Sequence, residues 1–81
     1  MFIYAIENRL FIHSKTILHT GYIEVLKNNK RIKKFKMINT EFFSCQPDLE
    51  PDYYLIRVYE ENQKVDEKRV FLTNKTMKIQ R

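Results

Sequence analysis

The sequence predicts an all-β domain, a small Greek-key sandwich of six to seven short strands, with a small OB-like barrel as the competing closure. Three observations carry this. Strand-forming residues come in short bursts, separated by polar turns at a spacing too short for ordinary helices. The 81 residues are 43% hydrophobic and 14% aromatic, enough to repay the ordering of one core and too few for two. Cys45 is the only cysteine, which excludes an intramolecular disulfide and a multi-cysteine zinc site, so packing alone must hold the fold. Residues 1–81 therefore read as one domain.

In chain order, Phe2-Ile3-Tyr4 reads as an edge segment, and the stretch RLFIH as the first full strand, with Leu10 and Ile12 alternating with Arg9, Phe11 and His13. Gly21, the sole glycine, precedes a strand in which Ile23 and Val25 face inward and Tyr22 and Glu24 outward. Lys27-Asn28-Asn29-Lys30 supplies a tight turn, because asparagine tolerates the left-handed backbone that two-residue hairpins demand. On the returning strand, 31–37, Ile32 is out of phase with Phe35 and Met37, and an extra residue at Lys33/Lys34 restores one buried face, which predicts a β-bulge there.

Thr40 to Ser44 makes another short strand. Gln46 to Asp52, carrying Pro47 and Pro51, cannot continue a ladder and reads as a loop crossing between sheets. Tyr54, Ile56 and Val58 then share one face, opposite Tyr53, Leu55, Arg57 and Tyr59; both faces are partly apolar, which marks a central strand. Glu61-Asn62-Gln63-Lys64 turns the chain about residues 62–63, and Lys68 to Thr73 returns with Val70 and Leu72 inward. Met77 and Ile79 suit a final edge strand.

The two hairpins resemble the C-terminal sorting domains of cargo proteins in the bacterial type IX secretion pathway. GYIEVLKNNKRIKKFKM is similar to that family's strand, turn and strand, and LEPDYYLIRVYEENQKVDEKRVFL to its closing hairpin, with Leu49, Tyr54, Ile56 and Val58 at its Leu, Tyr, Val and Val positions. Arg9-Leu10-Phe11-Ile12 resembles its opening strand, whereas Tyr4-Ala5-Ile6-Glu7-Asn8 stands where the family has a proline-bearing motif. The resemblance implies an immunoglobulin-like sandwich, a sorting role and a secreted or cell-surface location; a natural chain beginning at Met1 implies the cytoplasm instead.

The formal charge is +5 but unevenly spread: residues 1–40 and 68–81 are basic, and 41–67 carry eight Asp/Glu against Arg57 and Lys64. No apolar run approaches the roughly 20 residues of a membrane-spanning helix, and Glu7 stands where a signal peptide is uncharged. Catalytic and metal chemistry find no support. His13 and His19 lie six apart with no carboxylate at ligand spacing, Cys45 lacks an elbow or an orienting group, and one glycine cannot build a phosphate loop. Asp48, Glu50 and Asp52 alternate as calcium ligands do, but without the turn glycine or a terminal bidentate Glu they read as a solvated loop. Asn74-Lys75-Thr76 has the form of a glycosylation sequon.

The expectation is thus a non-enzymatic binding module with no cofactor, meeting a protein partner through its surface or by strand addition at a sheet edge. Tyr53, Leu55, Arg57 and Tyr59 are the candidate protein-contact face, which also suits a homodimer through Tyr53 and Tyr59. The alternative is a small nucleic-acid-associated protein using Lys27, Lys30, Arg31, Lys33, Lys34 and Lys36, with Phe35 as an aromatic plate if the bulge exposes it. Against it stands the reading of those lysines as guards of an edge strand, with Phe35 in the core. A phage-type or immunity-like inhibitor that occludes a protein partner also fits the size and charge.

Overall fold

The computed structural model describes residues 1–73. The strand expected around Met77 and Ile79 and the sequon at Asn74 lie outside the described residues. Among the described residues seven strands form: β1 (Phe2–Ile6), β2 (Arg9–Leu18), β3 (Gly21–Lys27), β4 (Lys30–Met37), β5 (Thr40–Cys45), β6 (Asp52–Glu60) and β7 (Gln63–Leu72). They make two antiparallel sheets, ordered β1-β2-β5 and β4-β3-β6-β7. The third strand after β2 returns beside it, and the third after β3 does the same, which is the Greek-key path.

Alternation decides which side chains meet between the sheets. Ile3, Leu10, Ile12 and Leu18 from the three-stranded sheet pack with Ile23, Val25, Met37, Tyr54, Ile56, Val58, Val70 and Leu72 from the four-stranded one. Phe35, Phe43, Cys45 and Leu49 close the sides. Gly21 is required by close approach: a Cβ there would lie 2.9 Å from the Met37 carbonyl oxygen and 3.1 Å from that of Tyr59.

The sheets are fastened at both ends. The Glu60 carboxylate accepts from the backbone N–H groups of His19 and Thr20, both at 3.1 Å, where the chain crosses from β2 to β3. At the other end Asn8, only 3% exposed, is a polar clasp. Its amide nitrogen donates to the carbonyls of Leu49 (2.8 Å) and Thr73 (3.4 Å), and its oxygen accepts from the N–H groups of Asp48 (3.1 Å) and Leu49 (3.4 Å). A buried amide is tolerated because its capacity is filled. Beside it the Tyr54 hydroxyl donates to the Glu50 carbonyl at 2.6 Å.

Several details correct the reading of the sequence. The bulge on β4 lies at Ile32: Lys27 pairs with Lys30 and Leu26 with Arg31, and pairing resumes at Val25 with Lys33. The two-residue turn fixes those first pairs, so the extra residue must come before Lys33 for Phe35 to fall inward. Phe35 accordingly packs on the core and is no open plate. The second turn is at Glu61-Asn62, both left-handed (φ 52° and 67°), with Glu60 paired to Gln63. β7 thus starts five residues earlier than expected, its phase restored by an extra residue, Val65. β2 runs on to Leu18 through the polar Ser14-Lys15-Thr16, and Asp52 opens β6.

Candidate functional site

The sheets bury their inner faces against each other, and function falls to the two outer faces. Cross-strand register places their side chains in rows.

On the three-stranded sheet the rows are Phe2, His13 and Phe42; Tyr4, Phe11 and Ser44; then Ile6 and Arg9. Tyr4 stacks with Phe11 (centroids 5.2 Å, 16° between planes) and with His13 (5.7 Å, 8°), and His13 tilts against Phe42 at 4.6 Å. The Tyr4 hydroxyl and His13 Nε2 share a hydrogen bond of 3.0 Å, and Arg9 donates to Ser44 Oγ at 3.1 Å. Phe2 is 69% exposed, Ile6 59%, Phe42 46% and Tyr4 37%. Arg9 is the only Asp, Glu, Lys or Arg in these rows. A contiguous, nearly uncharged aromatic face of this kind marks an interaction surface.

The outer face of the four-stranded sheet is a charge ladder. Its rows are Lys36, Tyr22, Tyr59 and Lys64; Lys34, Glu24, Arg57 and Glu67; Arg31, Leu26, Leu55 and Arg69; then Tyr53 and Phe71. Arg57 and Lys64 both hold Glu67, at 3.1 and 3.0 Å. Lys64 first and Arg57 second keep the Glu67 carboxyl below its ordinary range. Tyr22 and Tyr59 stack at 4.7 Å, and the Lys34 ammonium lies 4.3 Å from the Tyr22 ring centre, so both faces of that ring are covered.

The candidate protein-contact residues Tyr53, Leu55, Arg57 and Tyr59 thus share one side of β6, with Phe71 beside Tyr53, Arg69 beside Leu55, Glu24 and Glu67 on either flank of Arg57, and Tyr22 and Lys64 on either flank of Tyr59. Of the candidate anion contacts, Lys30, Arg31, Lys33, Lys34 and Lys36 line the exposed edge strand β4. Lys27 is drawn away: it pairs with Asp52 and lies 5.6 Å from the Tyr54 ring centre. That ion pair raises the Lys27 pKa and lowers that of Asp52. Burial pushes the Cys45 thiol up to about 11, so it is a protonated, poorly nucleophilic wall of the core at neutral pH. Among the described residues no group of three or more His, Cys, Asp and Glu is placed to hold a metal, and no helix is long and apolar enough to cross a membrane.

The aromatic face of the three-stranded sheet is the feature that sequence reasoning passed over. Its signal was present, since FIYAI is apolar on both alternating sides, the pattern of a doubly covered strand, and RLFIH sets Phe11 on the side opposite Leu10 and Ile12. Comparison with family models, with curated proteins and with solved structures finds no match.

Proposed function

We propose that this chain is a non-enzymatic binding module with an immunoglobulin-like sandwich, and that its protein-contact surface is the outer face of the three-stranded sheet. The observation that carries the reading is the exposed Phe2, Tyr4, Ile6 and Phe42 cluster, whose cross-strand rows hold no carboxylate and a single charged side chain, Arg9. The immunoglobulin-like reading is supported by the sheet orders and by Tyr54, whose hydroxyl reaches back four residues at the start of β6 in the manner of a tyrosine corner. The stretches similar to secretion sorting domains are the two hairpins of the four-stranded sheet, which supports a sorting-type scaffold with its contact face on the opposite side.

The test is a photo-crosslinking residue placed at Phe42 and, separately, at Tyr53, irradiated in extract of the native host. A defined protein adduct from position 42 with none from 53 supports the reading. The same adducts from both positions, or none from 42, overturn it.

A second reading has its own observation. Lys30, Lys33 and Lys36 are exposed along one edge, with Arg31 and Lys34 between them and Glu24 the only acid opposite on β3. Such an edge suits phosphate contacts without base stacking, because the Tyr22 ring is covered. An oligonucleotide retarded at low salt, released as salt rises, and lost with Lys33→Glu and Lys34→Glu supports this; no retardation at low salt removes it.

A further inference from the structure

We propose that the aromatic face is closed by a second copy of the chain, in a two-fold dimer that packs the outer faces of two three-stranded sheets against each other. This rests on the reading of that face as the contact surface and names its occupant.

Charge is the first argument. The chain carries +5, yet the rows of the aromatic face hold only Arg9. The opposite outer face holds Arg31, Lys34, Lys36, Arg57, Lys64 and Arg69 against Glu24 and Glu67. Two copies joined through their charge ladders would set cations against cations. Joined through their aromatic faces, they hold both ladders on the outside, a full sandwich thickness from the contact, where solvent screens them.

Ring geometry is the second. Tyr4 lies nearly parallel to its β2 neighbours Phe11 and His13, at 5.2 and 5.7 Å between ring centres, so the three rings form one continuous aromatic surface. Aromatic side chains on the outer face of a pleated sheet suit interdigitation with a second sheet at the usual spacing of about 10 Å. A two-fold axis across the strands, through the row of Tyr4, Phe11 and Ser44, sets that row upon itself. It also brings Arg9 of each copy over His13 of the other, between the rings of Phe2 and Phe42. An axis along the strands would oppose Arg9 to Arg9, so the first arrangement is the one selected.

Area is the third. At roughly 200 Å² for a fully exposed aromatic or large aliphatic side chain, the exposed fractions of Phe2, Tyr4, Ile6 and Phe42 leave about 400 Å² per copy. With the rim of Arg9, His13 and Ser44 the contact reaches the lower limit of a specific interface, about 1,000 Å² over both partners. That predicts a weak dimer with a micromolar dissociation constant.

The experiment is sedimentation equilibrium of the full chain from about 1 µM to about 500 µM, the span that brackets such a constant. The weight-average mass should climb towards twice the monomer mass. Phe42→Glu should weaken association at least about ten-fold while leaving the circular-dichroism spectrum unchanged. In a Cys45→Ser background, Ser44→Cys should form an interchain disulfide on mild oxidation, and Glu67→Cys, on the opposite face, should not. A chain monomeric throughout, or equal crosslinking at 44 and 67, overturns the dimer. If it is monomeric while a crosslinker at Phe42 still captures a different protein, the dimer falls and the binding-module reading stands; if neither association nor adduct is seen, both fall.

Discussion

In the β3–β4 hairpin the turn is Asn28-Asn29 and the unpaired residue is Ile32; in β6–β7 the turn is Glu61-Asn62 and the unpaired residue is Val65. Each extra residue sits three positions after its turn, is exposed, and shifts the returning strand so that Met37 in one and Val70 in the other point inward. The plan is the same and the surroundings differ. Because β3 and β6 are neighbours, the returning strands β4 and β7 become the two edges of their sheet. Both edges carry charges on their core-facing side, Lys33 opposite Val25, and Asp66 and Lys68 opposite Val58 and Ile56. Inward-pointing charges keep an edge from pairing with another chain. In the three-stranded sheet β1 carries no charged residue and β5 only Glu41, so apolar surface is left open on that side.

Three changes probe the equivalence of the hairpins. Ile23 and Ile56 each stand five residues before their turn and are fully buried, so Ile23→Ala and Ile56→Ala should each cost about 3 kcal/mol in urea unfolding. A difference above about 1.5 kcal/mol between them would show that their sites relax unequally. Deleting Ile32 removes the bulge but leaves Phe35 opposite Ile23 and Met37 opposite Gly21, so the cost should stay near 1 kcal/mol, read from a thermal melt. Deleting Val65 should behave alike, and a collapse of either variant would mean that the bulge's added twist is needed for sheet packing. The smallest effect separates the turns. Glu61 holds a left-handed conformation that asparagine accepts more readily, so Glu61→Asn should raise stability by about 0.5 kcal/mol, and Asn28→Glu should lower it as much, seen as opposite shifts in denaturant midpoint.

What was legible in the sequence was whatever period two encodes. Leu10, Ile12, Ile23, Val25, Tyr54, Ile56, Val58, Val70 and Leu72 are all buried as their alternation required. A need for a bulge was visible in the phase of Ile32 against Phe35, but its place depends on how tightly the turn closes, and that slid it from Lys33/Lys34 to Ile32. The polar run Ser14 to Thr16 hid the far half of β2, because its pairing comes from β5 across a register shift. The aromatic face was hidden for a related reason: Phe2, Phe11 and Phe42 become neighbours only through the strand order β1-β2-β5, which no local pattern states. The residues 53, 55, 57 and 59 were assigned to one face, but not their cross-strand neighbours, such as Glu24 and Glu67 beside Arg57 or Phe71 beside Tyr53.

The Asn8 amide ties together segments 40 and 65 residues away along the chain. Bonds so distant can close only after the two sheets have docked, late in the search for the native state. The clasp therefore belongs to the descent from the folding barrier rather than the climb. Asn8→Ala is therefore expected to speed unfolding while leaving the refolding rate nearly unchanged, seen in the two arms of a denaturant chevron.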